Sequence, residues 1–240
     1  CICDTGSTDD TVARIQQFGQ QHQLPGRIVH CPFYTFGYNR TFALNAARDM
    51  ADYVLLLDAD MVLADTASFK REQLTAAAYT LEQGSAAFSY HNTRLLRTST
   101  WSECVGATHE FYHVDGEMER LEELRIGDIG DGGSKDDKFE RDIRLLTQEV
   151  AQDPGNARAH FYLANSYRDT GQHAQAVEHY AKRIELGGWY EEVWYSYYNM
   201  GRSYQDQGDF PQALRSWLAG YQFYPGRNEN LYEIVKHYRV

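Results

Sequence analysis

The hydrophobic positions of this chain change their period near its middle. Through the first sixty residues, short apolar runs alternate with segments of helical spacing. Residues 1–4 read as the end of a strand entering the turn Thr5-Gly6-Ser7-Thr8-Asp9, whose Ser and Thr can cap a helix carrying Val12, Ile15 and Phe18. Pro25-Gly26 stops that helix. Residues 27–31 (RIVHC) form a short β-branched strand, residues 40–51 place Phe42, Ala43, Ala46, Ala47 and Met50 at helical spacing, and residues 53–57 read as a buried strand. This alternation predicts a parallel α/β sheet. Asp58-Ala59-Asp60 then falls beyond the carboxyl end of a central strand, where open α/β sheets take up ligands.

From 85 to 114 the pattern is mixed, with strand-like pieces at 86–90 and 110–114. Residues 126–137, rich in Gly and Asp, read as a loop, after which Phe139, Ile143, Leu146 and Val150 resume helical spacing. A boundary there divides the chain into domains 1–137 and 138–240. The second contains an internal repeat: Leu163, Tyr167, Gly171, Ala176 and Tyr180 recur as Met200, Tyr204, Gly208, Ala213 and Trp217. The positions match the tetratricopeptide pattern, in which Gly ends one helix and Ala lets the next pack closely. The spacing exceeds the usual repeat, and the extra residues fall around Gly187-Gly188-Trp189. Residues 231–238 look like a capping helix. The aromatic stretch 189–198 offers a platform for a saccharide or peptide, but repeat positions within it point to packing.

Composition narrows the function. The 34 acidic residues outnumber 23 basic ones for a formal charge of −11, and no basic run marks a nucleic-acid or anionic-membrane surface. No apolar run approaches bilayer length. Cys1, Cys3, Cys31 and Cys104 fit neither a disulfide framework nor a CxxC zinc site, so a cytoplasmic location is expected.

Chemistry concentrates at Asp58 and Asp60. Two carboxylates on alternate residues at a strand end can hold a hard cation, Mn²⁺ or Mg²⁺, together with diphosphate oxygens. The same pattern also occurs as a solvated turn. The run YVLLLDADM after an amphipathic helix, with the strand ending in DTGSTDDT, resembles family 2 glycosyltransferases of the GT-A fold. That resemblance implies transfer of a hexose-like group, with inversion, from a nucleotide sugar (UDP-linked) to a saccharide, peptide or protein acceptor. It implies that Asp4 contacts the base or ribose from the turn of Thr5, Gly6, Ser7 and Asp9, that Asp58 faces the nucleotide, and that Asp60 holds the metal. Asn39 and Arg40 match positions that approach the diphosphate; cap and solvated charge are their plainer roles. Family members carry a further strand and a Lys-Asn-Glu-like stretch before the DTGSTD-like segment, so a sheet without its first strand is expected.

Inverting transfer needs a base for the acceptor's proton. Similar glycosyltransferases carry a His-Glu pair corresponding to His109-Glu110, which makes Glu110 the candidate base, Asp115 its substitute, and His109 either a metal or phosphate contact or a structural hydrogen-bonding residue. Residues 131–146 (DGGSKDDKFERDIRLL) resemble a segment of bacterial and viral glycosyltransferases that continue into tetratricopeptide repeats. Lys135 and Lys138 there could meet a diphosphate from a lid, or belong to a solvated linker. Trp101 is either an acceptor-site aromatic or a core residue. Two other functions compete: a noncatalytic protein that binds a peptide on its repeats, and a nucleotidyltransferase using the same metal logic.

Overall fold

The computed structural model describes residues 1–65, 68–85, 87–129 and 138–239. The chain divides into two compact units, Cys1–Asp136 and Asp137–Val240.

In the first unit, β1 (Ile2–Asp4) pairs in parallel with β2 (Ile28–His30), joined by α1 (Thr11–Gln21). The cap of α1 differs from expectation. The N-cap is Asp10, which makes no capping bond but holds Arg14 one turn along, while Asp9 just before it accepts from the Thr11 amide at 3.0 Å. Helix α2 spans Phe36–Ala47, displaced toward the N-terminus from the expected 40–51. Thr35 fixes its start by accepting from the Tyr38 amide, and Arg48 turns away at its end to donate to the carbonyls of Thr98, Thr100 and Ser102.

The remaining strands are β3 (Tyr53–Leu55), β4 (Met61–Asp65), β5 (Ala78–Gly84), β6 (Ser89–Arg97), β7 (Ser102–Val105), β8 (Phe111–Val114) and β9 (Met118–Asp128). Five of them form a sheet in the order β3-β6-β5-β9-β4, and β7 and β8 form a separate antiparallel ribbon. The parallel pairing expected of the first sixty residues is found between β1 and β2, whereas the larger sheet is mixed. Within it only β5 and β9 run parallel, and β3 lies at one end of the order rather than at its centre. β3 is also shorter than expected and only half-buried.

Period-two alternation sends β6 residues to opposite faces. Leu95 joins Tyr79, Leu81, Leu124 and Ile126 on one, whereas Leu96 packs with Ala78 and with Leu44 of α2 on the other. On α2, Gly37, Thr41 and Leu44 form the inward stripe, because residues three and four apart share a face. Gly37 leaves no room for a side chain: an added Cβ would lie 2.5 Å from the Gly106 carbonyl oxygen. This close approach lets the Phe36 and Gly37 amides donate to the carbonyls of Ala107 and Gly106, which fastens the β7–β8 turn to the start of α2.

The second unit is a helical array: α3 (Lys138–Gln152), then α4 (Ala157–Asp169), α5 (His173–Leu186), α6 (Tyr190–Asp206), α7 (Phe210–Phe223) and α8 (Glu229–Tyr238). Gly171 and Gly208 take the same left-handed turn after α4 and α6, at φ +75° and +79°. Ala176 and Ala213, then Tyr180 and Trp217, are fully buried at matching positions. Of the aromatic stretch, Trp194 is buried while Trp189, Tyr190 and Tyr195 remain exposed. The inserted segment is held by Arg183, which donates to the carbonyls of Gly187 and Trp189 and pairs with Glu192 of α6 at 3.1 Å. The terminal helix is less polar outside than a cap, since Tyr232, Val235 and Tyr238 are exposed. Among the described residues, no helix is long and apolar enough to cross a membrane.

Candidate active site

Two residues before Leu96 on β6, Arg94 lies level with the end of β3, where the Leu56 amide donates to the Arg94 carbonyl. Helical spacing puts Arg40 one turn before Leu44 on the same face of α2. The two arginines converge on Asp58. Arg40 donates from Nη1 to Oδ1 and from Nη2 to Oδ2 (3.1 Å), while Arg94 Nη2 lies 3.5 Å from Oδ2. Arg40 Nε donates to Glu110 Oε1 at 2.6 Å, so one guanidinium joins the strand-end loop to the β7–β8 turn. Burial pushes the Asp58 carboxyl upward in pKa, but the hydrogen bonds and charge of Arg40, and then of Arg94, outweigh it and hold it below the usual carboxylate range. Arg40, although desolvated, is held firmly charged by the same partners. Burial and then the Glu110 charge push the neighbouring Cys104 thiol up to about 12, leaving it a neutral packing group.

The turn that carries Glu110 is tightly specified. Gly106 sits at φ +110°, and His109 adopts φ +50°, a left-handed conformation that a side chain with Cβ resists. Thr41 of α2 clasps β7 from the side, accepting from the Cys104 amide at 2.8 Å and donating to its carbonyl. His109 itself is exposed.

Asn39 of α2 and Asp4 of β1 face the loops that follow β2 and β1. Asn39 is buried and its amide is committed to the loop after β2: Oδ1 accepts from the Tyr34 amide at 2.8 Å, and Nδ2 donates to the carbonyls of Cys31 and Pro32. Consecutive residues of α2 thus face the loops after β2 and after β3. Asp4 ends β1, where Oδ1 accepts from the Ser7 amide and Oδ2 lies 3.2 Å from His30 Nδ1. These bonds, Ser7 foremost, hold its carboxyl below the ordinary range. Thr5, Gly6 and Ser7 form the exposed turn that Asp4 closes.

Other expected residues are not gathered here. Trp101 and Asp115 lie at the opposite end of the β7–β8 ribbon, where the Asp115 amide donates to the Trp101 carbonyl. Glu110 is roughly 16 Å away along the strands. Trp101 is exposed against His113 rather than part of the core. Lys135 lies outside the described residues, and Lys138 is exposed at the start of α3 in the second unit. Arg94 was missed by the sequence reading. No period-two signal leads to it, because the pairing of β6 with β5 shifts register there and passes from Leu95 to Thr93.

These carboxylates suit one way of holding a divalent cation. Among the described residues no group of three or more His, Cys, Asp or Glu side chains could hold a metal. Asp58 already has both oxygens on guanidinium groups. Asp60 is half-buried in the following turn, which is tied to the end of β9 by the Ile129 amide donating to its carbonyl. Mg²⁺ is in general held by one or two carboxylates with substrate phosphates and water rather than by an all-protein cage.

Residues 1–91 match the family model Glycosyl transferase family 2. The match contains β1, α2, Arg40, Asp58 and Asp60, and ends before Arg94 and Glu110. Residues 157–182 and 194–219 match the Tetratricopeptide repeat model and contain the recurring Gly, Ala and aromatic positions. No curated protein sequence matches this one. Among solved structures, the N-terminal domain of stress-induced protein-1 (STI-1) from C. elegans is similar at TM-score 0.40 and 19% identity, covering 42% of this chain and 83% of that one. MamA protein is similar at TM-score 0.33 and 23% identity, covering 36% of this chain and 46% of that one. At such TM-scores neither likeness bears on function.

Proposed function

We propose that the first unit is the catalytic part of an inverting glycosyltransferase that uses a nucleotide sugar, UDP-linked, and that the helical array binds a peptide or protein partner. The observation that carries this reading is the half-open Arg40–Asp58–Glu110 cluster, which the fold builds at a strand end and whose Arg40 and Asp58 lie inside the family 2 match. Asp60 would hold Mn²⁺ or Mg²⁺, which neutralises charge on the departing nucleoside diphosphate when bound. Asp4 faces the nucleoside and Arg40 the diphosphate. Glu110 accepts the acceptor's proton, with Arg40 fixing its orientation through Oε1. The tetratricopeptide matches support the partner on the helices.

Calorimetry of UDP with the full chain tests the donor assignment. UDP should bind more tightly with Mn²⁺ than with chelator, and Asp60→Asn should remove that difference while leaving the melting temperature nearly unchanged. Equal affinity in Mn²⁺ and in chelator would refute the metal bridge.

A further inference from the structure

The acidic end of β3 is fastened from inside the sheet as well as from α2. Arg94 is 5% exposed and Gln83 of β5 2%. Arg94 Nε donates to Gln83 Oε1 at 2.8 Å, and Gln83 Nε2 donates to Asp128 Oδ1 of β9 at 2.9 Å. Asn92, two residues before Arg94, donates to the same Gln83 oxygen at 3.3 Å. The amide of Gln83 therefore has an acceptor on one side and two donors on the other, which fixes which way it points. A single polar chain runs across the sheet: Asp128, Gln83, Arg94, Asp58, Arg40, Glu110. It also reaches the Asp60 turn from both ends, since Asp58 lies two residues before Asp60 and Asp128 precedes Ile129, whose amide holds the Asp60 carbonyl.

Burying an arginine among β-strands is costly unless its charge and its donors are matched. Packing alone would be served by the leucines that flank it on the same strand. Resting on the donor assignment above, we propose that Arg94, aimed by Gln83, is a positioning residue: it holds the Oδ2 side of Asp58, so that Asp58 presents Arg40 in a fixed pose toward the donor diphosphate. Arg94 reaches the nucleotide only through Asp58 and Arg40. Outer partners that orient metal ligands change affinity or activity about 10–100-fold on removal, and an effect of the same order is expected here.

The test uses two measurements on the full chain, one of which needs no ligand. Hydrogen exchange of the Arg40 Nε–H group, followed by ¹⁵N NMR, reports whether Arg40 stays locked. In Arg94→Met that exchange should quicken about tenfold or more, while amides of β5, β6 and β9 keep their protection, and UDP affinity in Mn²⁺ should fall about tenfold or more. Arg94→Lys, which keeps the charge but lacks the fork needed to engage Gln83 and Asp58 together, should recover only part of each loss. Unchanged Arg40 exchange in folded Arg94→Met overturns the proposal whatever happens to UDP. Quickened exchange with unaltered UDP affinity upholds the positioning role and removes the donor assignment instead. If Arg94→Met does not fold, Arg94→Lys decides by the same exchange measurement: faster exchange upholds the proposal, and wild-type exchange overturns it.

Discussion

Each unit contains a cluster in which a carboxylate is shared by two arginines, and the two clusters differ in what covers them. In the array, Glu192 binds Arg158 and Arg183; its carboxylate and Arg183 are 7% and 2% exposed, and only Arg158, at 36%, reaches the surface. In the sheet unit, Asp58 binds Arg40 and Arg94, and the Arg40 and Asp58 side chains are 23% and 30% exposed. The array cluster covers its carboxylate, and Arg183 directs its remaining donors inward, to the carbonyls of Gly187 and Trp189. Its chemistry is finished when the helices close. The other cluster is closed on the Arg94 side and open on the Arg40 side, with a strained turn bearing its second acid. One set of residues fastens a loop, whereas the other holds charge where a ligand can arrive.

The comparison breaks most visibly through stability. Glu192→Ala leaves Arg183 buried without its carboxylate and should cost about 3–5 kcal/mol in urea unfolding, with UDP binding unaffected. A loss of UDP affinity there, beyond that explained by unfolded protein, would dissolve the distinction between the clusters. On the open side the effect should move to the reaction. Glu110→Gln keeps size and polarity but cannot take a proton, so turnover should fall roughly a hundredfold while UDP affinity is retained. Near-normal turnover would remove Glu110 as the base, and lost UDP affinity would assign it to holding Arg40 alone.

A third substitution tests how tightly the array is filled. At Gly201 an added Cβ would penetrate the Trp217 ring, so Gly201→Ala should cost about 1–3 kcal/mol by overpacking. Adding Trp217→Tyr should restore most of it, because the equivalent pair in the preceding repeat is Ala164 with Tyr180. Additive losses in the double variant would count against the equivalence of the repeats.

The smallest effect expected is a pH dependence of the array. His160 Nδ1 lies 2.9 Å from His179 Nδ1, and His160 Nε2 lies 3.2 Å from the Pro154 carbonyl. The carbonyl requires a proton on Nε2, so neutral His160 offers bare Nδ1 to His179. Burial foremost lowers both pKa values, and Lys182 adds to the effect on His160 against the opposing charges of Asp153 and Glu178. Folded-state pKa values below the unfolded value mean that unfolding takes up protons. Stability should therefore be full above about pH 6.5 and decline as pH falls below it. Thermal melts should show a drop of a few degrees on acidification. His179→Phe should flatten that profile, and an unaltered profile would exclude the pair as its source.

The array was largely legible in the sequence because each repeat writes its helices with local contacts: Gly171 and Gly208 mark turns, and Ala176 and Ala213 mark close packing. The sheet unit was less so. β9 was not anticipated, since Leu121, Leu124 and Ile126 do not alternate cleanly. The irregularity corresponds to a register shift opposite Leu81 and Glu82 that breaks the period of two. The sheet's mixed order depends on strands far apart in the chain and leaves no local trace. Asp58, Glu110 and Arg40 were each read as site residues but not as partners of one another, because the ion pairs joining all three span up to 70 residues of sequence.

The paired differences between the repeats also constrain how they could have diverged from one unit. Trp at the Tyr180-like position requires Gly where Ala164 stands, whereas Gly beside Tyr leaves only a methyl-sized gap and a slightly weaker helix. Starting from an Ala–Tyr pair, the less costly order of change is for the small residue to shrink before the aromatic grows. The reverse order passes through Ala beside Trp, the overpacked pair that costs about 1–3 kcal/mol, so the two positions are energetically coupled rather than independent.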